Sequence, residues 1–326
     1  MDMQQRKSRA ALISVISNTA LVLMKLAAGL LMGSVSVISE AAHSAVDLTA
    51  AVIAFFSVKT SGKPADAGHP FGHGKIENIS GTVEALLIFL AAGWIIFEAI
   101  EKLRFPEPLE AVGWGVAVML VSAVVNVGVS RMLFRVGRET DSPALQADAW
   151  HLRTDVYTSA GVMAGLALIA LGNRLFPGWD FNWLDPVAAI AVALWIMKTA
   201  YDLTLQSARD LMDVPLPAVE EALVRNLIVE QRPTIRGYHY LRTRKAGHFR
   251  FIEFHIQVDS RMTVEASHNL AEKLTKAIKE HLPHTTVTIH IEPCKGDCFE
   301  KCLKGCFLTD KERSEIAKDH SSSRRS

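Results

Sequence analysis

Long apolar runs separated by short polar segments fill the first two thirds of the chain. Each run is about 20 residues long, which is the length that a helix needs to cross a bilayer. The runs cover Ala10–Met32, Ser36–Val58, Ile79–Phe97, Ala111–Leu133, Ala144–Leu171 and Pro186–Leu205. This pattern predicts a membrane α-helical bundle of six transmembrane helices over residues 1–209.

From about residue 210 the pattern changes to that of a small α+β domain. The segments "RFIEFHIQV" and "TVTIHIE" alternate between apolar and polar positions, as half-buried strands do. The predicted elements are two helices and three strands, with the helices over about 217–231 and 263–281 and the strands over about 235–245, 248–258 and 285–292. Residues 210–293 are therefore predicted to form an αββαβ, metallochaperone-like domain with an antiparallel-leaning sheet and its helices on one face. Residues 294–326 are predicted to be a flexible, cysteine-containing tail.

The composition of the chain agrees with a membrane protein. Of its 326 residues 49% are hydrophobic, the net charge is +1 and the mean hydropathy is +0.19. Without a basic face, nucleic acid is not expected as a partner. Lys and Arg cluster before the first run, between the second and third, and after the fourth, and they are sparse in the alternate loops. Because basic residues favour the cytoplasmic side, both termini and the α+β domain are predicted to be cytoplasmic.

Two of the apolar runs carry ionisable residues at the same spacing. His43 and Asp47 lie four residues apart in "EAAHSAVDLTA", and His151 and Asp155 repeat the spacing in "DAWHLRTDVYTSAG", so each pair shares a helix face. A charge at mid-membrane depth costs ~2.5–3.5 kcal/mol and needs a partner or an ion. Two imidazoles and two carboxylates make a tetrahedral set for a divalent cation such as Zn²⁺. The alternative is a pair of local His–Asp hydrogen bonds, and Asp148 is expected beside the site or at its entrance.

Two further clusters lie outside the apolar runs. In the loop "PADAGHPFGHGK", Asp66, His69 and His73 are spaced to gather on a Pro/Gly turn as a three-ligand site, unless the loop is simply polar and solvated. The α+β domain contributes a larger set of potential metal ligands. The alternative is that these are surface side chains without a role. Its members are His239 and His255 on the first two strands, His268 on the second helix, and His290 and Glu292 on one face of the last strand.

The four cysteines of the chain all lie in "PCKGDCFEKCLKGC", at Cys294, Cys298, Cys302 and Cys306. A cytoplasmic location argues against disulfides, and the spacing of four matches none of the usual iron–sulfur or zinc-ribbon runs. The thiols have the chemistry to bind a soft metal such as Zn²⁺ or Cu⁺, for delivery or for sensing. The alternative is a tail that merely contains cysteines.

Taken together, the motifs resemble the cation diffusion facilitator family of zinc transporters, in particular its bacterial ferrous-iron and zinc efflux members. The resemblance rests on the paired motifs of the second and fifth spans, on "HPFGHGKIE" after the second, and on "LRTRKAG" in the αββαβ domain, and it covers residues 10–293. It implies a homodimeric antiporter of the cell (inner) membrane that exports a divalent cation in exchange for protons. It does not imply an enzyme, and the HExxH string of a membrane metalloprotease does not occur.

The resemblance also implies roles for particular residues. The transport site of the family matches His43, Asp47, His151 and Asp155, and a histidine at the first of these positions is associated with preference for zinc over cadmium. The loop cluster matches a family metal site. The ligands of the α+β domain match a binuclear zinc site near the dimer contact, although Glu292 stands where relatives often have Asp. Lys75 and Asp213 match an ion pair at the dimer interface.

The chemistry of the donor atoms agrees with proton antiport. Because protonated imidazole and carboxyl groups do not bind metal, each bound ion displaces protons. Zn²⁺ is the expected ion, and Fe²⁺, Mn²⁺ or Cd²⁺ are the alternatives, since selectivity depends on geometry that the sequence does not show. A membrane-anchored metal sensor is the alternative of another class, but it would not need two ligand pairs inside the bilayer.

Overall fold

The computed structural model of the chain describes residues 2–32, 35–105, 115–175, 183–296 and 298–323. Within these ranges some residues are described by their backbone alone, namely 32, 35–37, 39–40, 115–116, 162–174, 185 and 320–323. The chain divides into two compact units, Met1–Leu211 and Met212–Ser326. The boundary therefore lies close to the one predicted after residue 209, and each unit is described by itself.

Over the described residues the first unit consists of six long helices, which correspond to the six apolar runs. They are α1 (Met3–Met32), α2 (Val35–Ser61), α3 (Lys75–Arg104), α4 (Gly115–Glu139), α5 (Pro143–Leu175) and α6 (Leu184–Leu211). Among the described residues, α1, α2, α3, α4 and α6 are long and apolar enough to cross a membrane. Helix α5 has 33 residues, and residues 162–171 of the predicted fifth run are described by their backbone alone. Residues 111–114 of the fourth run lie outside the described residues.

Small residues fill many of the contacts between these helices. Ala51 and Ala54 of α2 and Ala92 of α3 are completely buried, whereas Leu90 and Trp94 of α3 are exposed. Lipid chains are as apolar as leucine, so helices in a membrane associate through small residues that let their backbones approach closely. The exposed large side chains are consistent with a surface that faces lipid.

A buried ion pair ties several segments of the bundle together. The Nζ of Lys7 on α1 lies 2.6 Å from Oε1 of Glu77 on α3, and both side chains are completely buried. Ser61 of α2 donates its hydroxyl to the same oxygen at 2.5 Å, and Ser142, just before α5, donates to Oε2. The additional hydrogen bonds matter, because an ion pair removed from water offsets its desolvation cost only when the remaining polar atoms are also satisfied.

We expect Lys7→Met to lower the thermal stability of the detergent-solubilised protein strongly. The change leaves the Glu77 carboxylate buried without its cation, and breaking a buried pair in this way costs about 3–5 kcal/mol. Arg6→Met is the matched control, because the neighbouring Arg6 pairs with Glu139 through half-exposed side chains and such pairs contribute about 0–1 kcal/mol. The melting temperatures of both variants are measured by size-exclusion chromatography of heated samples. Equal melting temperatures for the two variants would show that the buried pair does not stabilise the bundle.

The second unit has the predicted αββαβ order. Its elements are α7 (Ala218–Val229), β1 (Gly237–Ala246), β2 (Phe249–Asp259), α8 (Val264–His281) and β3 (Thr285–Cys294). The sheet order is β1-β2-β3, with β1 antiparallel to β2 and β2 parallel to β3. The sheet is thus mixed, where the sequence led us to expect an antiparallel-leaning one. The physical reason is that α8 connects β2 to β3 as a crossover, which returns the chain in the same direction.

The two faces of this sheet differ in chemistry. Ile252, Phe254 and Ile256 of β2 lie in the hydrophobic core together with residues of α7 and α8. Successive side chains of a strand point to opposite faces, so His255 and Gln257 lie on the other face. The register pairs His255 with His239 of β1 and with His290 of β3. The helices therefore cover one face, as predicted, and a row of three histidines lies on the other.

The segment after β3 folds onto this unit, which differs from the flexible tail expected from its polar composition. It contains α9 (Glu300–Lys304) and α10 (Asp310–Ser323). Cys306 forms an antiparallel bridge with Gly237, and the N–H of Phe307 donates to the carbonyl of Arg236 at 2.8 Å. The ring of Phe307 also lies 5.8 Å from that of Tyr238. Backbone pairing and an aromatic contact thus hold the described part of the segment, whereas residues 297 and 324–326 lie outside the described residues.

Candidate metal centres

The intramembrane candidates converge between α2 and α5. Ligand atoms of His43, Asp47 and Asp155 all lie within 4.8 Å of one another. The Nε2 of His151 lies 3.0 Å from Oδ1 of Asp47, and the Nε2 of His43 lies 4.0 Å from the same oxygen. The four-residue spacing places each pair on one helix face, and the contact between α2 and α5 brings the two faces together. The arrangement has the ligand types and number of a tetrahedral Zn²⁺ site.

A cavity of about 490 Å³ reaches this cluster. Its lining includes His43, Asp47 and Asp155 together with Glu98 and Lys102, which lie near the C-terminal end of α3. Residues near the beginnings of α4 and α6 also contribute to the lining. The cavity thus extends toward the end of the bundle where α3 ends, whereas the buried Lys7–Glu77 pair lies at the opposite end, where α3 begins.

A further polar group lies beside the site. Lys25 of α1 lines the cavity, is only 7% exposed and donates to the hydroxyl of Ser44 at 2.8 Å. Its Nζ thus faces the bundle interior, and its partner Ser44 directly follows His43 in α2. The position of Lys25 in the first apolar run does not show that it meets α2.

Two buried carboxyl groups also lie near the site. Glu84 of α3 and Asp148 of α5 are both completely buried, and they neighbour each other and His151. Glu84 accepts a hydrogen bond from Ser80 at 2.9 Å, but no feature of the local sequence shows that it lies near Asp148 and His151. Asp148 lies beside the ligand cluster, where we expected it.

The three loop residues form a compact second cluster. The ligand atoms of Asp66, His69 and His73 lie within 4.8 Å of one another, and the two imidazole rings are 4.3 Å apart. The pKa of Asp66 is lowered from its ordinary value, first because the backbone N–H of His69 donates to the carboxylate, with further hydrogen bonds from the His69 ring and the Gly68 N–H. The carboxylate is therefore held in the ionised form that binds metal.

The third cluster lies on the histidine face of the sheet in the second unit. Glu292 is its centre, since its carboxylate lies 2.8 Å from Nδ1 of His255, 3.3 Å from Nε2 of His239 and 3.5 Å from Nε2 of His290. His268 is not with them in the described structure: it is exposed on α8, and this helix packs against the opposite face of the sheet. The sequence placed all five residues in one domain but did not show on which face each one lies.

We expect the metal-free protein to become less stable as the pH decreases, and we expect His239 to account for part of this loss. The pKa of His239 is lowered from its ordinary value of 6.5, first by burial and then by the neighbouring His255 and His290, against the attraction of Glu292. A histidine with a lowered pKa in the folded state binds fewer protons than it does when unfolded, so its contribution is full above pH ~6.5 and is lost as the pH falls from there toward the lowered value. Melting temperatures from pH 8 to pH 5.5 should therefore fall less for His239→Asn than for the wild type. Parallel curves would contradict this assignment.

Lys75 and Asp213 lie in different units. Lys75 donates to the carbonyl of Leu211 at 3.3 Å, and Asp213 lies 3.5 Å from Nη1 of Arg244. Both residues thus have contacts inside their own units. Their pairing across the dimer stays a prediction.

Comparison with known proteins agrees with this organisation. Residues 11–212 match the family described as the cation efflux transmembrane domain, and residues 216–294 match the cytoplasmic domain of cation efflux proteins. The chain is 36% identical over 283 residues to an uncharacterized transporter of Synechocystis sp., covering 87% of this chain and 89% of that protein. It is 34% identical over 286 residues to the cation-efflux pump FieF of Klebsiella pneumoniae, covering 88% and 92%. The solved metal-bound C-terminal domain of the CzcD transporter from Thermotoga maritima is 31% identical, with a TM-score of 0.22, and the match covers 24% of this chain and 96% of that one.

Proposed function

The chain belongs to the cation efflux family of multi-pass membrane transporters, also called cation diffusion facilitators, and on this premise we propose that it exports Zn²⁺ from the cytoplasm in exchange for protons. The family consists of transporters of divalent cations and not of enzymes. Beyond membership of the family, the proposal specifies the transported ion, its coupling to protons, its ligands and the direction of transport. It also places the protein in the cell (inner) membrane as a homodimer, with both termini in the cytoplasm.

The observation that carries the proposal is the convergence of four ligands inside the membrane-spanning bundle. His43, Asp47 and Asp155 have ligand atoms within 4.8 Å of one another, and His151 contacts Asp47. Two imidazole nitrogens and two carboxylate oxygens suit Zn²⁺ in tetrahedral coordination. Carboxylates buried among apolar helices are costly without a cation, so a site of this kind is better explained by an ion than by packing.

The same ligands explain the coupling to protons. Imidazole must be neutral and carboxyl groups must be ionised before they bind a metal, so protons and Zn²⁺ compete for the same atoms. A site that takes up Zn²⁺ on the cytoplasmic side and protons on the outer side therefore exchanges one for the other. Histidine has an ordinary pKa of ~6.5 and can change its protonation within the cellular pH range.

Access to the site must alternate between the two sides. The cavity extends toward the end of the bundle where α3 ends, and the predicted orientation makes this the outer side. At the cytoplasmic end, the Lys7–Glu77 pair and its serines tie α1, α2, α3 and the start of α5 together. In this proposal the structure corresponds to the outward-open state, and the inward-open state requires these contacts to separate.

The two other clusters have supporting roles in the proposal. Asp66, His69 and His73 receive or sense the ion near the cytoplasmic ends of α2 and α3. The cluster around Glu292 binds Zn²⁺ in the second unit and stabilises or regulates the dimer. A ligand that binds one conformation better shifts the equilibrium toward it, so occupancy of these sites can change the rate of transport.

We expect purified protein in liposomes to accumulate Zn²⁺ faster when the lumen is acidic, because protons leaving the lumen drive Zn²⁺ entry. Asp47→Asn and Asp155→Asn keep the side-chain shape but remove the charge, so each should reduce the flux at least tenfold. Asp202→Asn is the matched control, because this carboxylate on α6 is 60% exposed and pairs with Lys198 away from the cluster. A zinc-sensitive dye inside the liposomes measures the flux.

The outcome of the same experiment with other ions separates the alternatives. Equal dye signals from the wild type, both site variants and protein-free liposomes would rule out Zn²⁺ transport, and Fe²⁺, Mn²⁺ and Cd²⁺ would then be tested under the same gradient. Zinc binding without flux of any of these ions would favour the sensor. Flux that is independent of the pH gradient but is lost in both variants would support the proposed metal site and contradict proton antiport.

The predicted ion pair between Lys75 and Asp213 is tested by exchanging its charges. Lys75→Asp and Asp213→Lys should each weaken the dimer, and the double variant should restore it, because the attraction is the same when both charges are reversed. Dimer dissociation in detergent, followed by light scattering on dilution, measures the effect. Additive losses in the double variant would show that the two residues do not pair.

A further inference from the structure

The described tail covers part of the face of the sheet that carries the histidine cluster. The ring of Phe299 lies 5.3 Å from that of His239, and Nζ of Lys301 lies 5.0 Å from the centre of the Tyr240 ring. Farther along the same face, Sγ of Cys302 donates to Oε1 of Gln257 at 3.1 Å. The sheet register pairs Gln257 with Glu292, the centre of the histidine cluster. The thiol of Cys302 therefore contacts the direct neighbour of Glu292 on the adjacent strand.

The tail brings the four cysteines into one neighbourhood although they come from different local structures. Cys294 ends β3, Cys298 lies before α9, Cys302 lies in α9, and Cys306 pairs with Gly237 at the start of β1. The sheet register pairs Cys294 with Asp259 of β2. It also pairs Gly237, which bridges to Cys306, with Gln257, the residue whose side chain accepts from Cys302. Three of the cysteines therefore meet the same end of the sheet, and Cys298 lies between two of them in the chain.

The turn that makes this approach possible depends on a glycine. Gly296 has a φ of +81°, a conformation that side chains other than glycine rarely adopt. A Cβ added there would lie 2.6 Å from the backbone nitrogen of Ala317 in α10. Gly296 can therefore adopt this conformation and pack against α10 because it has no side chain.

Simple core packing does not account for the four thiols. Cys294 and Cys302 are buried at 2% exposure each, as small apolar residues would be, but Cys298 and Cys306 are only half-buried. All four are free thiols. The whole cysteine content of the chain lies in this segment, which extends beyond the part of the chain that matches the cytoplasmic family domain, residues 216–294.

We propose that Cys294, Cys298, Cys302 and Cys306 form a second kind of metal site, a four-thiolate centre for a thiophilic divalent cation of the Zn²⁺ class, and that binding fixes the tail over the histidine face. Four thiolates are a complete tetrahedral set for Zn²⁺. Each thiol that becomes a ligand releases its proton, so one bound Zn²⁺ releases four protons and the centre has a net charge of −2. Lys295, Lys301 and Lys304 lie within the same segment and can balance that charge.

Binding must draw the sulfur atoms together. In the described part of the chain, the thiols are not among the clusters whose ligand atoms all lie within 4.8 Å of one another. Closure of the centre therefore requires movement of the segment that holds Cys298 and α9. Because Phe299 and Lys301 of this segment contact His239 and Tyr240, the movement is transmitted to the histidine cluster, and the tail becomes a metal-dependent cover for it.

Titration of the full-length, reduced and metal-free protein in detergent with Cd²⁺ tests the site. Cd²⁺ replaces Zn²⁺ at thiolates and produces an ultraviolet charge-transfer band, and no cysteines exist elsewhere in the chain to produce one. We expect the band to saturate at about one Cd²⁺ per chain and the number of thiols that react with Ellman's reagent to fall from four to near zero. Stoichiometric Zn²⁺ should protect the same thiols. A weak band that grows only with excess Cd²⁺, or protection of two thiols or fewer, would overturn the proposal.

Variants separate this site from the others. The band should persist in Glu292→Gln, which alters the histidine cluster, and in Asp47→Asn, which lacks flux under the proposed function, so failure of one proposal is distinguishable from failure of the other. Cys298→Ser and Cys306→Ser change half-buried residues and should each lower the Cd²⁺ affinity at least tenfold without unfolding the unit.

Trypsin cleavage at Lys301 and Lys304 should slow when Zn²⁺ is added to the wild type, but not when it is added to the protein with all four cysteines replaced by serine. Unchanged affinity in both single variants, or equal cleavage rates with and without Zn²⁺, would contradict the site.

Discussion

An ionised group inside an apolar helical bundle is stable only when another charge or an ion compensates it, and the first unit is organised around this constraint. At one end, the compensation is internal and complete, because Glu77 has Lys7 and two serine hydroxyls. Nearer the middle, Asp47 and Asp155 lie beside two histidines at the end of a cavity of about 490 Å³. The ion that compensates their charges can exchange with the solution. The first arrangement suits a closed structural contact, and the second suits a site that exchanges its ion.

Much of this organisation follows from the sequence because it depends on local pattern. The length of the apolar runs predicted the helices, and the His-x-x-x-Asp spacing placed each ligand pair on one face without any knowledge of the partner helix. The parallel pairing of β3 with β2 was missed, since the alternating pattern of a strand is the same in both directions. The alternation predicted well which residues of β2 face the core, such as Phe254, and which face the histidine row, such as His255.

The remaining features depend on contacts between segments that are distant in the chain. Glu84 meets Asp148 and His151 only because α3 and α5 pack together, and no local signal reports such a meeting. His268 was grouped with the other histidines by composition, but its helix covers the opposite face of the sheet. The tail was expected to be flexible because its side chains are polar, whereas backbone hydrogen bonds to the start of β1 help to hold its described part, and composition does not reveal such bonds.

The pairing of Cys306 with Gly237 has a consequence for assembly. A three-stranded sheet has two outer strands whose unpaired N–H and C=O groups can recruit a strand from another chain. Here the N–H of Tyr238 already donates to the carbonyl of Gly305 at 3.0 Å, and the carbonyl of Arg236 already accepts from Phe307. The beginning of β1 is thereby closed to a strand from a neighbouring molecule. Extension of the sheet from one molecule to the next is therefore blocked where β1 begins.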